Sequence, residues 1–421
     1  MHITVQTDRT LIRQRGRSVR YALLEFTAPE PSRQASRPPL NVSFVIDRSG
    51  SMGGSKIELA RSAVIQALRM LRDTDRFSVI SYDDQVDVAV PSTRATAEAV
   101  RNAVQQVTRI TARGSTNLGG GWLKGCEAVA EHLADDQAAR CLLLSDGLAN
   151  HGITDPQELA EHSSVLGRRG IRTSCFGIGE DYDERLLDGI ATASNGHAYH
   201  VETAVQIPDF LASELGEALE NVVRDAVVTV RPSAGITVRT LNSYPLATHA
   251  DGSVSMRLGD LTARQDVSAV FELTLPEGRE TETRGAVFSV ADAAGAQQAP
   301  PADIVWTFAG DAENDAQPRN RAVDRVVAQL YAAAAQAEAL ELNRAGRYEE
   351  ARAGLVGAAL RIERDAGSDP EMRVLIEHMR EREATYVQPM SALHRKREYA
   401  SSYNVSRMRD PEGKARRRPN R

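Results

Sequence analysis

Cysteine is scarce in this chain of 421 residues, which holds three, Cys126, Cys141 and Cys175. They are widely spaced and form no Cys-x-x-Cys pair, so the sequence argues against a zinc site or a dithiol redox centre. Cys141 and Cys175 fall in predicted buried strands and Cys126 on a predicted helix, where thiols pack as small apolar side chains. The nine histidines form no His-Glu-x-x-His motif, which removes a common signature of metallohydrolases.

Long apolar runs are also missing. No stretch approaches the ~18 to 20 residues that a membrane-spanning helix needs. The first five residues read as a strand and lack the charged and apolar regions of a signal peptide, so we expect a cytoplasmic protein. Aromatic residues make up 5% of the chain, which predicts aliphatic cores. The apolar and charged fractions, 42% and 26%, are ordinary for a globular protein, and the length suits two or three domains.

Negative charge is not spread evenly along the chain. The net charge is −6, but residues 394–421 hold ten Lys and Arg against three acids, a local +7, so the remainder carries −13. Basic tails of this kind bind nucleic acid, acidic proteins or the body of their own protein. This tail has no interleaved aromatic residues, so we do not expect a nucleic-acid partner and predict a solvated, disordered segment.

Oxygen-bearing side chains stand in three separate segments, two of them at the ends of apolar runs. Asp47 follows the run 42–46, and Asp146 follows the run 142–144. Taken singly, such serines cap helices and such aspartates form turns. Together they are the ligands that hard divalent cations prefer. The five candidate metal ligands are Asp47, Ser49, Ser51, Thr116 and Asp146.

Short apolar runs alternate with segments of helical periodicity from residue 39 to about residue 205. This alternation predicts an α/β fold with a doubly wound, mostly parallel sheet. In such sheets ligands bind beyond the carboxyl ends of the strands. Asp47 and Asp146 both lie at such ends, so the distant segments are expected to meet around one ion. We predict Mg²⁺, with Mn²⁺ or Ca²⁺ as alternatives.

The order Asp-x-Ser-x-Ser, then Thr116, then Asp146 resembles the metal-ion-dependent adhesion site of von Willebrand factor A domains, a Rossmann-like family. Residues 81–84 and 114–118 are similar to bacterial relatives of calcium-activated chloride channel regulators and inter-alpha-trypsin inhibitor heavy chains. The resemblance implies a protein interaction module, in which an exposed Asp or Glu of a partner protein completes the metal's coordination. Neighbouring residues expected to contact that partner are Arg48, Gly50, Gly114, Ser115, Asn117 and Gly147.

A change of period marks the domain borders. Six short strands with period 2 and regular turns follow the α/β region, which predicts an antiparallel β-sandwich completed by two N-terminal strands, with the α/β domain inserted into it. Ala-rich helical periodicity follows. The predicted segments are N-terminal sandwich strands and linker at 1–38, the A domain at 39–205, the β-sandwich at 206–310, a helical hairpin or bundle at 318–388, and the basic disordered tail at 389–421.

Other signals are weaker. Asp83, Asp84 and Asp87 suggest either a second cation site or solvated turn residues, and we favour the turn. Arg48 either guides an incoming carboxylate or offsets local negative charge. No catalytic base accompanies the ligands beyond His151, so we expect a binding protein rather than an enzyme. The resemblance also implies an alternative function, since bacterial A-domain proteins are similar to partners of AAA+ ATPases of the MoxR or magnesium chelatase type. Because the chain has no ATPase motif of its own, it would be the adaptor subunit of such a system.

Overall fold

The computed structural model describes residues 1–30, 38–134, 137–279, 282–292, 295 and 298–417. Most of the predicted linker (31–37) and the end of the basic tail (418–421) lie outside the described residues. The strands are β1 (Ile3–Thr7), β2 (Leu11–Arg13), β3 (Ser18–Thr27), β4 (Leu40–Asp47), β5 (Arg76–Tyr82), β6 (Val86–Arg94), β7 (Ala138–Ser145), β8 (Ile171–Ile178), β9 (Ala198–Val201), β10 (Asn221–Pro232), β11 (Thr237–Thr240), β12 (Leu246–Thr248), β13 (Val254–Thr262), β14 (Asp266–Leu275), β15 (Thr283–Ala291) and β16 (Ala302–Ala309). The α-helices are α1 (Ser55–Met70), α2 (Ala97–Thr108), α3 (Leu118–Ala130), α4 (Pro156–Arg168), α5 (Glu184–Ala193), α6 (Ile207–Leu219), α7 (Asp311–Ala316), α8 (Arg321–Arg344), α9 (Tyr348–Ala366), α10 (Pro370–Tyr386) and α11 (Ala392–Ser406).

The chain divides into two compact units. One is Pro31–Asn221, and the other combines Met1–Glu30 with Val222–Arg421. The first unit is therefore an insertion in the sequence of the second. The predicted fold class, a doubly wound α/β region inserted into a β-sandwich and followed by helices, is confirmed.

A six-stranded sheet in the order β6-β5-β4-β7-β8-β9 forms the centre of the inserted unit. Neighbouring strands run parallel except for β6, which is antiparallel to β5. Parallel strands need crossover connections, and the helices between them supply these. The carboxyl ends of β4, β7 and β8 therefore meet at one edge of the sheet.

Strand β4 is buried along its whole length, because helices cover both faces of the sheet. Successive side chains of a strand point to opposite faces. Val42, Phe44 and Ile46 accordingly pack in one core with α1, α2 and α6. Val45 packs in a second core with α3, α4 and α5. This double covering fixes the register of β4 and so the position of Asp47 at its end.

Helix α6 belongs to the inserted unit, which ends at Asn221. The predicted start of the β-sandwich, residue 206, is therefore too early. Ile207, Leu211 and Leu215 are buried in the same core as α1 and β4. The apolar face of α6 is visible in the sequence. The layer that this face covers is a tertiary property that periodicity does not specify.

The second unit is built on two sheets, in the orders β1-β3-β14-β11 and β12-β13-β10-β15-β16-β2. Strand β3 pairs antiparallel with β14 along ten residues, with Phe26 opposite Val267. Apolar residues of both sheets form one core that includes Leu24, Phe271 and Trp306. The N-terminal strands thus complete the sandwich, as the sequence predicts.

Helices α8 to α11 follow the sandwich. Apolar residues of α8, such as Val323 and Leu330, pack on Leu23 and Val270 of the four-stranded sheet. Helices α9 and α10 share a further core with α8. A helical segment at 318–388 is therefore present, and it continues into α11.

The prediction of a disordered tail at 389–421 is wrong for residues 392–417. Helix α11 packs against α8, and Tyr403 is buried. The guanidinium of Arg407 lies 4.4 Å from the ring centroid of Tyr244, and the carbonyl of Arg416 accepts a 2.9 Å hydrogen bond from the amide of Asp266. Charge-rich composition misleads here because guanidinium groups can be buried by stacking on aromatic rings.

The three cysteines are free and buried, as predicted. In the described part of the chain, no helix has the length and apolar character required to cross a membrane.

Candidate metal centre

The two predicted acidic ligands lie at the carboxyl edge of the central sheet. Strand β4 ends at Asp47, and Asp146 directly follows β7, its parallel neighbour. Oδ2 of Asp47 accepts a 2.6 Å hydrogen bond from Oγ of Ser145. Oδ1 of Asp47 accepts a 2.8 Å bond from the backbone N–H of Ser49. Both oxygens of Asp47 are thereby held in fixed directions.

The serine hydroxyls link the two acids. Oγ of Ser49 lies 3.1 Å from Oγ of Ser51, and Oγ of Ser51 donates a 2.8 Å bond to Oδ1 of Asp146. The hydroxyls of Thr116 and Ser51 both lie next to Gly147. A Cβ atom built on Gly147 would be 3.3 Å from Oγ1 of Thr116 and 3.5 Å from Oγ of Ser51, so Thr116 belongs to the same group of side chains. All five sequence-predicted ligands are thus brought together at this edge of the sheet.

The Thr116 loop is held by backbone hydrogen bonds. The amide of Thr116 donates a 2.9 Å bond to the side-chain oxygen of Asn150, and its carbonyl accepts bonds from the amides of Asn150 and His151. The amide of Gly50 donates to the carbonyl of Gly114 at 3.1 Å. Gly114 has φ +69, and a Cβ there would lie 2.2 Å from Oδ1 of Asp84. Glycine is therefore required at position 114 for the loop to reach the site.

Asp47 and Asp146 are both buried with no exposed surface. Burial raises the pKa of Asp47 to about 6; hydrogen bonds from Ser145 and Ser49 oppose this rise, and the negative charge of Asp146 adds to it. A buried carboxylate beside a second one calls for a positive counter-charge. Nζ of Lys56 supplies one, at 2.5 Å from Oδ2 of Asp146.

The residues present fit a hard divalent cation. Two carboxylates and three hydroxyls converge, and all of these donors are oxygens. Gly147 matters to the fit because its missing side chain keeps the space between the hydroxyls of Thr116 and Ser51 open. The side chain of Ser51 is exposed, so the site is accessible from solvent.

The residues predicted to contact a partner fall into different classes. Gly50, Gly114 and Ser115 are exposed around the site. Asn117 instead caps α3, since its side chain accepts a 3.0 Å bond from the amide of Gly120. Gly147 is buried beneath the hydroxyls.

Arg48 is not presented to a partner, which corrects the sequence-based expectation. Arg48 is 8% exposed. Its guanidinium bonds Asp83 at 3.2 and 3.3 Å and Asp87 at 2.6 Å. It therefore offsets local negative charge, the second of the two roles considered for it. The exposed guanidinium at this rim is that of Arg113, with 55% of its side chain accessible.

The prediction that Asp83 is a solvated turn residue is wrong, because Asp83 is buried. It accepts hydrogen bonds from Arg48 and, at 2.7 Å, from Arg113. Its carbonyl accepts a bond from the amide of Asn117, so it helps to hold the Thr116 loop. Asp84 and Asp87 remain exposed, as expected of turn residues.

Sequence reasoning missed a second polar cluster. His197, Glu214 and Glu217 each offer one potential ligand atom within 4.8 Å of the others. Burial would raise the pKa of Glu214, but the charges of His197 and Arg140 and hydrogen bonds from His197 and Tyr199 hold it well below its usual range. Only the i,i+3 spacing of Glu214 and Glu217 on α6 hints at this cluster in the sequence.

Glu214 serves as an anchor for α6. Its carboxylate accepts bonds from Oγ of Ser174 at 2.7 Å, the hydroxyl of Tyr199 at 2.7 Å, and Nδ1 of His197 at 3.2 Å. These donors and the charge of Arg140 already compensate the carboxylate, as a buried ion pair requires. The Asp47 site therefore remains the stronger candidate for a metal ion.

Comparisons with known proteins identify the domain that carries this site. Residues 41–213 match the family model described as von Willebrand factor type A domain. YfbK of Escherichia coli (strain K12) is 28% identical over 244 residues, which are 56% of this chain and 42% of that protein. Human inter-alpha-trypsin inhibitor heavy chain H4 is 30% identical over 220 residues, 49% of this chain and 23% of that protein. The chain thus spans less than half the length of either relative.

Two solved structures resemble this chain in fold over most of its length. A von Willebrand factor type A protein from Catenulispora acidiphila has a TM-score of 0.68 at 20% identity, with 89% of each chain covered. The ArnB paralog VWA2 from Sulfolobus acidocaldarius has a TM-score of 0.60 at 16% identity and covers 96% of this chain and 98% of its own. At such identities the likeness concerns the fold alone.

Proposed function

Because residues 41–213 form a von Willebrand factor type A domain, as the sequence resemblance predicts, we propose that this chain is a protein interaction module whose binding depends on a divalent metal ion. One observation carries the proposal. Two fully buried carboxylates face three hydroxyls at the carboxyl edge of the sheet, linked through the 2.8 Å bond from Ser51 to Asp146. Lys56 compensates only one of the two carboxylates, and a bound cation would compensate the other.

The chain's own residues hold the donors in place. Ser145 and the amide of Ser49 fix Asp47, while Asn150 fixes the backbone of Thr116. When bound, Mg²⁺ or its substitutes Mn²⁺ and Ca²⁺ would supply a Lewis-acidic position at which a carboxylate from another protein can replace water. The residues that would hold it are Asp47, Ser49, Ser51, Thr116 and Asp146.

The surface around the site suggests what the partner presents. Gly50 and Ser115 are exposed and small, which leaves room for an approaching chain. Leu148, two residues after Asp146, has 54% of its surface exposed. An exposed leucine beside an anion-seeking site favours a partner whose Asp or Glu is flanked by an apolar side chain, since buried apolar contacts carry much of the affinity at interfaces.

The proposal is for binding rather than for turnover. Hydrolysis at a metal requires a base positioned beside the attacking water. His151, the histidine nearest in sequence to Asp146, is exposed, and its amide is committed to the carbonyl of Thr116. We therefore assign the loop that carries His151 to support of the Thr116 backbone.

Thr116→Val tests the proposal, because it removes one hydroxyl while keeping the shape of the side chain. Mn²⁺ binding, followed by electron paramagnetic resonance, should weaken at least tenfold, and Mg²⁺-dependent capture of the protein's natural partners should be lost. Thr108→Val is the matched control: Thr108 ends α2, where its hydroxyl bonds the carbonyl of Val104. This control should bind Mn²⁺ and partners as the wild type does.

Capture that persists in chelator, or a Thr116→Val variant that binds Mn²⁺ normally, would contradict the proposal. Mass spectrometry of the Mg²⁺-dependent fraction also addresses the alternative from the sequence. An AAA+ ATPase recovered reproducibly in that fraction would favour an adaptor role.

A further inference from the structure

Lys56 places a positive charge inside the candidate metal centre. Its Nζ lies 2.5 Å from Oδ2 of Asp146, although the two residues are 90 positions apart. Asp146 is fully buried, whereas 27% of the Lys56 side chain is accessible. The ammonium group therefore reaches from solvent to the oxygen of Asp146 that Ser51 leaves open.

The position of Lys56 in its own helix does not account for the residue. Lys56 is the second residue of α1, in the first turn. The amino end of a helix carries partial positive charge, so a cation there is unfavourable. Because the helix disfavours a cation here, the charge of Lys56 is better explained by a contact outside the helix. The ammonium group contacts Asp146.

The end of β8 lies beside the ammonium group of Lys56. Gly179 follows this strand with φ +78, a conformation that favours glycine, and a Cβ there would lie 3.6 Å from Nζ of Lys56. The backbone of Gly179 therefore flanks the ammonium on one side, while Asp146 holds it on the other. Lys56 thus lies between the start of α1 and the ends of β7 and β8, with part of its side chain open to solvent.

The charges at the site give this arrangement a consequence. Asp47 and Asp146 carry two negative charges, and Lys56 cancels one of them. Nearby, Arg48 and Arg113 pair with Asp83 and Asp87, so these four residues add no net charge. Asp84, beside Gly114, is exposed, and water and salt screen its charge. A divalent cation therefore leaves the centre with one positive charge in excess, which the single carboxylate of a partner would neutralise.

We propose that Lys56 is a tethered counter-cation that weakens metal binding at this centre and strengthens the binding of an external carboxylate to the metal-loaded centre. The inference rests on the proposed function, since it concerns the same site. Without Lys56 the two acids would neutralise the divalent ion completely, and a partner's carboxylate would add an uncompensated negative charge. With Lys56 present, the metal-loaded centre has a net positive charge and favours an external carboxylate. Without Lys56, the metal-loaded centre is neutral and favours it less.

The test replaces Lys56 with methionine, which keeps the length of the side chain and removes its charge. Mn²⁺ affinity is measured by electron paramagnetic resonance. Carboxylate affinity is measured by titrating the Mn²⁺-loaded chain with acetate and following the loss of metal-bound water by proton relaxation. We expect Lys56→Met to bind Mn²⁺ about tenfold more tightly and acetate several-fold more weakly than the wild type.

Two controls accompany this variant. Lys124→Met removes an exposed lysine of α3 that pairs with Glu127, and it should change neither affinity. Lys56→Arg keeps the charge and should preserve the order of affinities seen in the wild type. In chelator, Lys56→Met should also melt at a lower temperature than the wild type, and Mg²⁺ should remove that difference.

The outcomes separate this inference from the proposed function. A wild-type chain that does not bind Mn²⁺ would overturn the proposed function and this inference with it. A wild type that binds Mn²⁺, with Lys56→Met equal to it in both affinities, would overturn only the role of Lys56. Weakening of both affinities together would identify Lys56 as a merely structural support and would also overturn the inference.

Discussion

The hydroxyl of Ser145 donates a 2.6 Å hydrogen bond to Oδ2 of Asp47, so the last residue of β7 holds the last residue of β4. Ser145→Ala should leave this buried oxygen without its donor, at a cost of about 1–3 kcal/mol in the free energy of unfolding. Because only the amide of Ser49 then orients Asp47, Mn²⁺ affinity should also fall several-fold. Urea denaturation and Mn²⁺ titration measure the two effects.

Ser163→Ala is the matched control for Ser145→Ala. Ser163 is equally buried, and its hydroxyl bonds the carbonyl of Ile190 in the same unit. It should lower stability and leave Mn²⁺ affinity unchanged. Equal metal affinities for the two variants would mean that Ser145 does not orient Asp47.

Gly147→Ala should narrow the space between the site hydroxyls. The added Cβ would lie 3.3 Å from Oγ1 of Thr116, closer than most real Cβ contacts. We expect Mn²⁺ affinity to fall by about tenfold, with a change in stability below about 1 kcal/mol. Gly216→Ala, in an open position on α6, should raise stability by up to about 1 kcal/mol and leave metal binding alone. Unaltered Mn²⁺ binding by Gly147→Ala would argue against a role for this space.

Asp47→Asn should abolish metal binding and increase the stability of the metal-free chain. In chelator the substitution removes one of two neighbouring buried charges. The amide oxygen of asparagine can still accept the bond from the backbone N–H of Ser49, and its NH2 group would face the Ser145 hydroxyl, which can accept a hydrogen bond in turn. We expect the free energy of unfolding to rise by about 1–2 kcal/mol and Mn²⁺ binding to disappear. Thermal denaturation with and without Mn²⁺ would show both changes.

Asp75→Asn provides the contrast. Asp75 is buried too, but its carboxylate accepts bonds from the amides of Leu40 and Arg72. This substitution should destabilise the chain and spare Mn²⁺ binding. Destabilisation by Asp47→Asn in chelator would mean that the two acids at the metal centre do not strain the fold.

Glu214→Gln should make the free energy of unfolding less dependent on pH. The pKa of Glu214 lies below its unfolded value, so its ionised form stabilises the fold above about pH 4.5, and this contribution is lost as the pH falls towards the folded pKa. The variant should be less stable by about 3 kcal/mol at pH 6, and the difference should shrink below pH 4. Urea denaturation at several pH values measures this.

Glu161→Gln, at an exposed position of α4, should show no such pH-dependent difference. A constant gap between wild type and Glu214→Gln from pH 3 to pH 6 would contradict the assignment of Glu214 as a charged anchor of α6.

The sequence predicts the central sheet and the two aspartates at its edge better than it predicts the burial of Asp83 and of the C-terminal segment, and the reasons are physical. The apolar run 42–46 has to be a buried strand, since it is followed by a polar turn and then by α1, and the structure extends it only to Leu40–Asp47. Parallel strands then force Asp47 and Asp146 to the same edge. Both steps depend on local patterns and on one rule of topology.

Asp83 and the C-terminal segment depend on partners that lie far away in sequence. Asp83 is buried because Arg48 and Arg113 fold over it. Arg407 is ordered because Tyr244, in the β-sandwich, offers its ring. No local period or composition reveals such pairs, so the sequence alone predicts solvent exposure for charged residues that the fold buries.

The insertion of one unit into the other affects the synthesis of the chain. Phe26 of β3 pairs with Val267 of β14, a residue made roughly 240 positions later. At about 5–20 residues per second, the ribosome needs on the order of 12 to 50 seconds to deliver it. Throughout that interval the edge of β3 that pairs with β14 lacks its partner strand, and an unpaired strand edge can pair with other chains. Slowed translation before residue 267 should therefore increase aggregation, and early chaperone contact with the first thirty residues should reduce it.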